Sequence, residues 1–363
     1  MKLASQTITM QNHTNTPSTR PISSTTGSSA PSGADLSADD VLIDLTDSID
    51  LTDSSYLTDT ADVTRATTEF RPMRAVITAA ALVAAIIWLP GAAIFVGILT
   101  GLVVIHELGH YWVAKKVGMR PTDFFVGFGP TVWARTTPAG LTYGLKALPA
   151  GGFVKIPGMG PREEVDPSLE QYTYRAATRP KRLAVILAGV TVNFAFAALV
   201  FAAYAFFIST SDMGFIDSVT RGIAMTWEVT VGTLQGLASL VTGAGDYAGS
   251  VVGGNVPDNR MMSPIGGAQI ADGLLSDSPA KLWLLTAIFS TSLGLFNLLP
   301  LLPLDGGHAA LVVAEGFWAK VRNRPAVRID PNRFTPVAVV VLVSLVAVSV
   351  SAMYLDIVHP LSI

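Results

Sequence analysis

The sequence predicts an α-helical polytopic membrane protein with a small membrane-associated β-hairpin or sheet element, and three observations carry that prediction. Half of the 363 residues are hydrophobic and only 14% are charged, a balance unusual for a soluble chain. Long apolar runs recur at 92–114, 183–208, 282–318 and 335–355, with basic residues clustered between them. Between Met119 and Gly160 the chain is too polar and too rich in Gly and Pro to span, and TVWAR and LTYGLKAL flank Thr136-Thr137-Pro138-Ala139-Gly140 as strand, turn, strand.

Residues 1–72 are rich in Ser, Thr and Asp, with Leu-Thr-Asp triplets at 45, 51 and 57, and are expected to form a disordered acidic tail. Lys2 is followed by polar residues and no apolar run, which does not read as a cleavable signal peptide. An extra hydrophobic segment follows at 73–91. Pro90-Gly91 separates it from the first core transmembrane helix, 92–118, leaving two readings: a hairpin with both ends cytoplasmic, or one kinked helix. The 119–160 region is the β element, with Phe124, Phe125, Phe128 and Trp133 placed either to dip into the membrane face or to sit as interfacial aromatics on a surface hairpin.

A cytoplasmic connector spans 161–182, the second core transmembrane helix 183–208, and an extracytoplasmic Gly-rich segment 209–263. A third core segment covers 264–319 and is interrupted by Pro and Gly. A basic loop, 320–334, precedes the last transmembrane helix, 335–356. Lys181 and Arg182, and the basic residues of 320–334, are cytoplasmic by the positive-inside rule, which places the 106–110 region toward the cytoplasmic end of its helix.

The net charge of −3 and the scattered positive charges leave no nucleic-acid footprint. With no cysteine in the chain, His, Asp and Glu are the strong candidate metal ligands.

Against that background His106-Glu107-Leu108-Gly109-His110 needs a reason, because ionisable groups inside an apolar run are costly. Helical positions four apart differ by about 40°, so both imidazoles face one point and take adjacent corners of a zinc tetrahedron. Glu107 points one step round, placed to act as general base rather than ligand. For the third ligand, Asp305 in LLPLDGGHAAL is the choice, since a carboxylate at membrane depth needs a cation to offset its desolvation. Pro300, Pro303, Gly306 and Gly307 break the helix around it, and His308 is the runner-up.

These motifs resemble the site-2 protease family of intramembrane zinc metalloproteases. HELGH at 106–110 matches the family's first motif, and Asn297, Pro300, Asp305 and Gly306 match its second, NxxPxxxxDG. GFGP (127–130), GGFVK (151–155) and the helix containing Asn193 are similar to the bacterial branch, so the likeness runs from about 92 to 355. The resemblance implies zinc held by His106, His110 and Asp305, Glu107 as base, and a substrate cleft shaped by Asn297 and Pro300. It also implies single-span membrane protein substrates such as anti-sigma factors, a bacterial inner-membrane location among lipid, and no small-molecule cofactor beyond zinc. The chain departs from many members in one respect: 209–263 is too short and too Gly-rich for a PDZ module.

A substrate strand is expected to pair with the edge of the 131–149 hairpin. Two other function classes remain: a membrane metal transporter, with polar sites in broken helices, and a catalytically silent adaptor that binds membrane segments.

Overall fold

A computed structural model describes residues 68–160, 163–208, 213–243 with 245, 247 and 249, 262–323 and 328–359. Most of the expected tail lies outside these residues. Its last part does not follow the expectation: Thr68–Phe70 forms strand β1, pairing antiparallel with Trp133 to Arg135.

Helix α1 (Pro72–Trp88) and helix α2 (Pro90–Lys116) meet at Leu89, each with a proline in its first turn. Arg74 Nη1 donates to Thr131 O at 3.1 Å, tying the start of α1 to the same sheet that packs on the second half of α2. Helix α1 therefore folds back along α2 instead of continuing it as one kinked helix. Helix α2 ends in a Schellman motif: Gly118 lies at φ 92°, its N–H reaches Lys115 O, and the Met119 N–H reaches Ala114 O. That turn delivers Met119 into a core it shares with Ala114, Ile156, Tyr174, Val185 and Val312.

The β element is more than one hairpin. Strand β2 (Asp123–Thr136) bends at Gly127 and Gly129, both at positive φ, and strand β3 (Thr142–Lys155) bends near Gly151. The far half of β2 pairs antiparallel with the start of β3, as in Ala134 with Gly144. Its near half lies between two parts of β3, pairing parallel with 142–145 and antiparallel with 152–155. This corrects the expected docking edge. β1 covers one side of 133–135 and 123–126 covers 142–145, so among the described residues 152–155 is one outer edge of the sheet and β1 is the other.

Helix α3 (Arg179–Phe207) crosses α2 at close range, made possible by Gly109: a β-carbon there would sit 2.8 Å from the Ala188 carbonyl oxygen. The 209–263 region contains a helix that its composition conceals, α4 (Phe215–Thr242). It runs antiparallel to α3, with Phe215 against Phe206 and with Met225 and Val229 packed on the cluster of Val200, Phe201 and Ala287. Gly222 lets the two backbones approach, since a β-carbon there would meet Ala198 O at close range. Asp217, Arg221, Glu228 and the threonines dilute its hydropathy, and an Arg221–Glu228 ion pair at 3.0 Å joins two of those charges.

The third core segment resolves into three helices. Helix α5 (Pro264–Asp277) starts at Ser263, whose Oγ accepts the Ile265 and Gly266 N–H groups, and it packs on the first half of α2 through Phe95, Ala271 and Leu274. Helix α6 (Leu282–Leu298) runs antiparallel to α3, with Ser290 Oγ donating to Asn193 O at 2.9 Å. After the loop at 299–304, helix α7 (Asp305–Val321) begins on Asp305 itself. Helix α8 (Thr335–Val358) is buried at Ala352, Leu355 and Asp356 and otherwise carries exposed Val and Leu, as a lipid-facing helix does.

Among the described residues, four helical segments are long and apolar enough to cross a membrane: Pro90–Lys116, Arg179–Phe207, Pro279–Leu298 and Thr335–Val358. The chain is thus mostly helical, with a small sheet against one side of the bundle, as the sequence predicts.

Candidate active site

His106 and His110 are buried on the face of α2 that meets α3. Their rings stand edge to face with centroids 4.7 Å apart, and their Nε2 atoms are 3.1 Å apart. Room for them comes from Gly189 of α3. A β-carbon there would lie 2.6 Å from His110 Nε2 and 2.7 Å from His106 Nε2.

The third donor arrives from the far end of the chain. Tight packing of the loop onto Gly306 and Gly307 aims α7: β-carbons there would collide with the carbonyls of Leu298 and Leu299 and the backbone of Leu301 and Leu302. Asp305 Oδ2 sits 2.9 Å from His106 Nε2 and 3.1 Å from His110 Nε2. Three donor atoms thus form a near-equilateral triangle. A tetrahedral ion about 2.0–2.1 Å from each ligand wants its donors about 3.3 Å apart, and this triangle is only slightly tighter. Two imidazoles, one carboxylate and a glycine-lined hollow beside them fit a zinc ion with one position left open.

Glu107 also has an oxygen within 4.8 Å of both histidines, so it competes on distance for the role of ligand. Its Oε2, however, accepts the Val154 N–H at 2.9 Å on the open edge of β3, whereas Asp305 makes the shorter approach to both rings. That leaves Glu107 beside the triangle rather than in it.

The residues around the histidines set their orientation. His110 Nδ1 lies 2.8 Å from Val185 O, and His106 Nδ1 lies 3.3 Å from Asn193 Nδ2. Asn193 is completely buried and its Oδ1 has no hydrogen-bond partner. Val185 and Gly189 carry no sequence signal, because a backbone carbonyl and a missing β-carbon leave no pattern to read.

Asn297 sits in the last turn of α6, half-buried, and Pro300 follows in the loop leading to Asp305. Among the described residues the Asn297 side chain makes no hydrogen bond, to the triangle or elsewhere, so its amide is available. His308 is one turn beyond Asp305 on α7 and belongs to a different place: it lines a cavity of ≈ 170 Å³ with Tyr174, Arg182, Glu315 and Arg328. Burial pushes the Tyr174 phenol up to about 12, so it stays protonated there. A buried ion pair between Arg182 and Glu315 fixes α3 to α7 beside this cavity, and the Ile329 N–H donates to Glu315 Oε1 at 3.1 Å.

Comparison with known proteins follows the same residues. The model of peptidase family M50 matches residues 94–345, which is more than half of the chain. The chain belongs to peptidase family M50. The match takes in α2 from its first turns, strands β2 and β3, and α3 through the first half of α8. It leaves out β1 and α1, the same parts that fall outside the motif resemblance.

Among M50 relatives, the zinc metalloprotease Rip1 of Mycobacterium tuberculosis (strain H37Rv) is 49% identical over 94 residues, 26% of this chain and 23% of its own length. The regulator of sigma-E protease RseP of Salmonella typhimurium (strain 14028s) is 39% identical over 124 residues, 34% and 26% of the two lengths. A putative zinc metalloprotease of Pasteurella multocida, PM1991, is 34% identical over 142 residues, 39% and 32%. The chain therefore aligns with about a quarter to a third of the length of these relatives.

Proposed function

We propose that this M50 chain is a zinc-dependent intramembrane endopeptidase. It would hydrolyse peptide bonds within or near the transmembrane segment of single-span membrane proteins, anti-sigma factors among them, in regulated intramembrane proteolysis. The supporting observation is the convergence of His106, His110 and Asp305 on one point with Glu107 beside them. Relatives named zinc metalloproteases and a sigma-E regulator protease support the same reading. The chain would sit in the bacterial inner membrane, and the basic residues at 179–182 and 320–333 support a site near the cytoplasmic side. No observation favours the transporter or adaptor alternatives.

When bound, zinc supplies a Lewis acid that polarises the scissile carbonyl and acidifies water. The chain's own groups do the rest. Glu107, its Oε2 held by the Val154 N–H, takes a proton from the attacking water and returns it to the leaving amine. An unwound substrate segment needs backbone partners, and the open 152–155 edge of β3 offers them next to Glu107. Asn297, with its free amide, and Pro300 line the cleft on the Asp305 side, where the amide can donate to the substrate carbonyl or hold its strand.

The test is a Glu107→Gln chain reconstituted in lipid with a single-span reporter. Zinc content should match the wild type while cleavage falls by about 10²–10⁴-fold. Turnover at the wild-type rate contradicts the assignment.

A further inference from the structure

We propose that Asn193 is a positioning residue of the metal centre, its side-chain oxygen accepting the Nδ1 proton of His106 and so holding that ring with Nε2 aimed at the ion. The inference rests on the metal reading above and deepens it.

A neutral imidazole that binds a metal through Nε2 carries its proton on Nδ1, and that proton needs an acceptor. Both histidines present Nε2 to the shared corner, as their distances to Asp305 Oδ2 and to each other require. For His110 the acceptor is the Val185 carbonyl, 2.8 Å from Nδ1. For His106 the partner of Nδ1 among the described residues is the amide of Asn193, at 3.3 Å.

That amide has two orientations, nearly identical in shape, and each suits one tautomer of the ring. With Nδ2 toward the ring, Asn193 donates to a bare Nδ1, the proton sits on Nε2, and His106 has no lone pair for a metal. With Oδ1 toward the ring, Asn193 accepts from Nδ1–H and the Nε2 lone pair is free. The first orientation leaves Oδ1 buried at 0% exposure with no partner, an expensive arrangement for an amide oxygen. A half-turn of the amide gives that oxygen its partner and makes the ring a ligand. The backbone around it is well anchored, since Asn193 O accepts from Ser290 Oγ at 2.9 Å and Gly294 packs on Asn193 Cβ. Only the amide plane is left to respond to the ring.

Two substitutions of the full-length chain separate acceptor from filler. Asn193→Leu keeps the volume and removes the acceptor; Asn193→Asp keeps an acceptor. Zinc affinity is measured by competition with a chromophoric chelator, and the visible spectrum of the cobalt(II) form reports ligand geometry. Asn193→Leu should bind zinc about 10–100-fold more weakly, with an altered cobalt spectrum. Asn193→Asp should stay within a few-fold of wild type with a similar spectrum. Wild-type zinc affinity in the Leu variant overturns the proposal, as does equal loss in a folded Asp variant. Should the Leu variant fail to fold, 15N-histidine NMR of the zinc-loaded wild type decides: a protonated His106 Nδ1 supports the role, and a bare one overturns it. A wild type that binds zinc but cleaves no reporter sinks the protease reading and leaves this inference standing.

Discussion

Gly189 shows how much of the site depends on an atom that is not there. The two histidines, the glutamate and the aspartate can be read from spacing and from the cost of burying charge, because those side chains have no cheaper reason to sit in apolar helices. Gly189, Asn193 and the Val185 carbonyl cannot, since what they contribute is space and orientation against a helix 75 or more residues away. In Gly189→Ala the new methyl would enter the space of both Nε2 atoms, and overpacking of this kind costs about 1–3 kcal/mol. Equilibrium dialysis against zinc should show affinity reduced by one to two orders of magnitude, while helix content by circular dichroism stays close to wild type. Gly97→Ala and Gly101→Ala are controls, because a β-carbon at either position meets nothing within 4 Å, and both should bind zinc normally.

At the scale of elements, the apolar helices and the turn expected at 136–140, found at 137–141, are visible because each follows one simple rule of period or composition. The Thr137 and Leu141 backbone bonds close that turn as expected. Helix α4 was not visible. Its charges and small residues look extracytoplasmic by composition, yet the same small residues let it lie against α3. The second pairing of β3 was also hidden, because the bends at Gly127, Gly129 and Gly151 become meaningful only once both halves of the strand are in place. The clamp between α3 and α7 is a further case: Arg182 looks like a flanking positive charge, and its partner Glu315 lies 133 residues away. Side-chain exposures of 6% and 3% make this a buried pair. Removing one member, as in Glu315→Ala, strands the arginine charge and should cost about 3–5 kcal/mol in denaturant unfolding. The double variant Arg182→Met, Glu315→Leu should recover most of that loss. Equal destabilisation in single and double variants would place the effect in packing instead of charge.

For the molecule as a whole, the central feature is a meeting of two segments about 200 residues apart in the chain. Helix α2 carries His106, Glu107 and His110, the start of α7 brings Asp305 against both histidines, and α3 packs on α2 through Gly109 and Gly189. The M50 match from 94 to 345 takes in both segments. Metal stoichiometry with X-ray absorption at the zinc edge, on the wild type and on Asp305→Ala, tests this arrangement most directly. The wild type should hold one zinc per chain with two imidazoles and one carboxylate oxygen in its shell, and Asp305→Ala should lose most of the metal or the oxygen from the shell. A variant that binds one zinc with an unchanged spectrum would mean that residue 305 is no ligand.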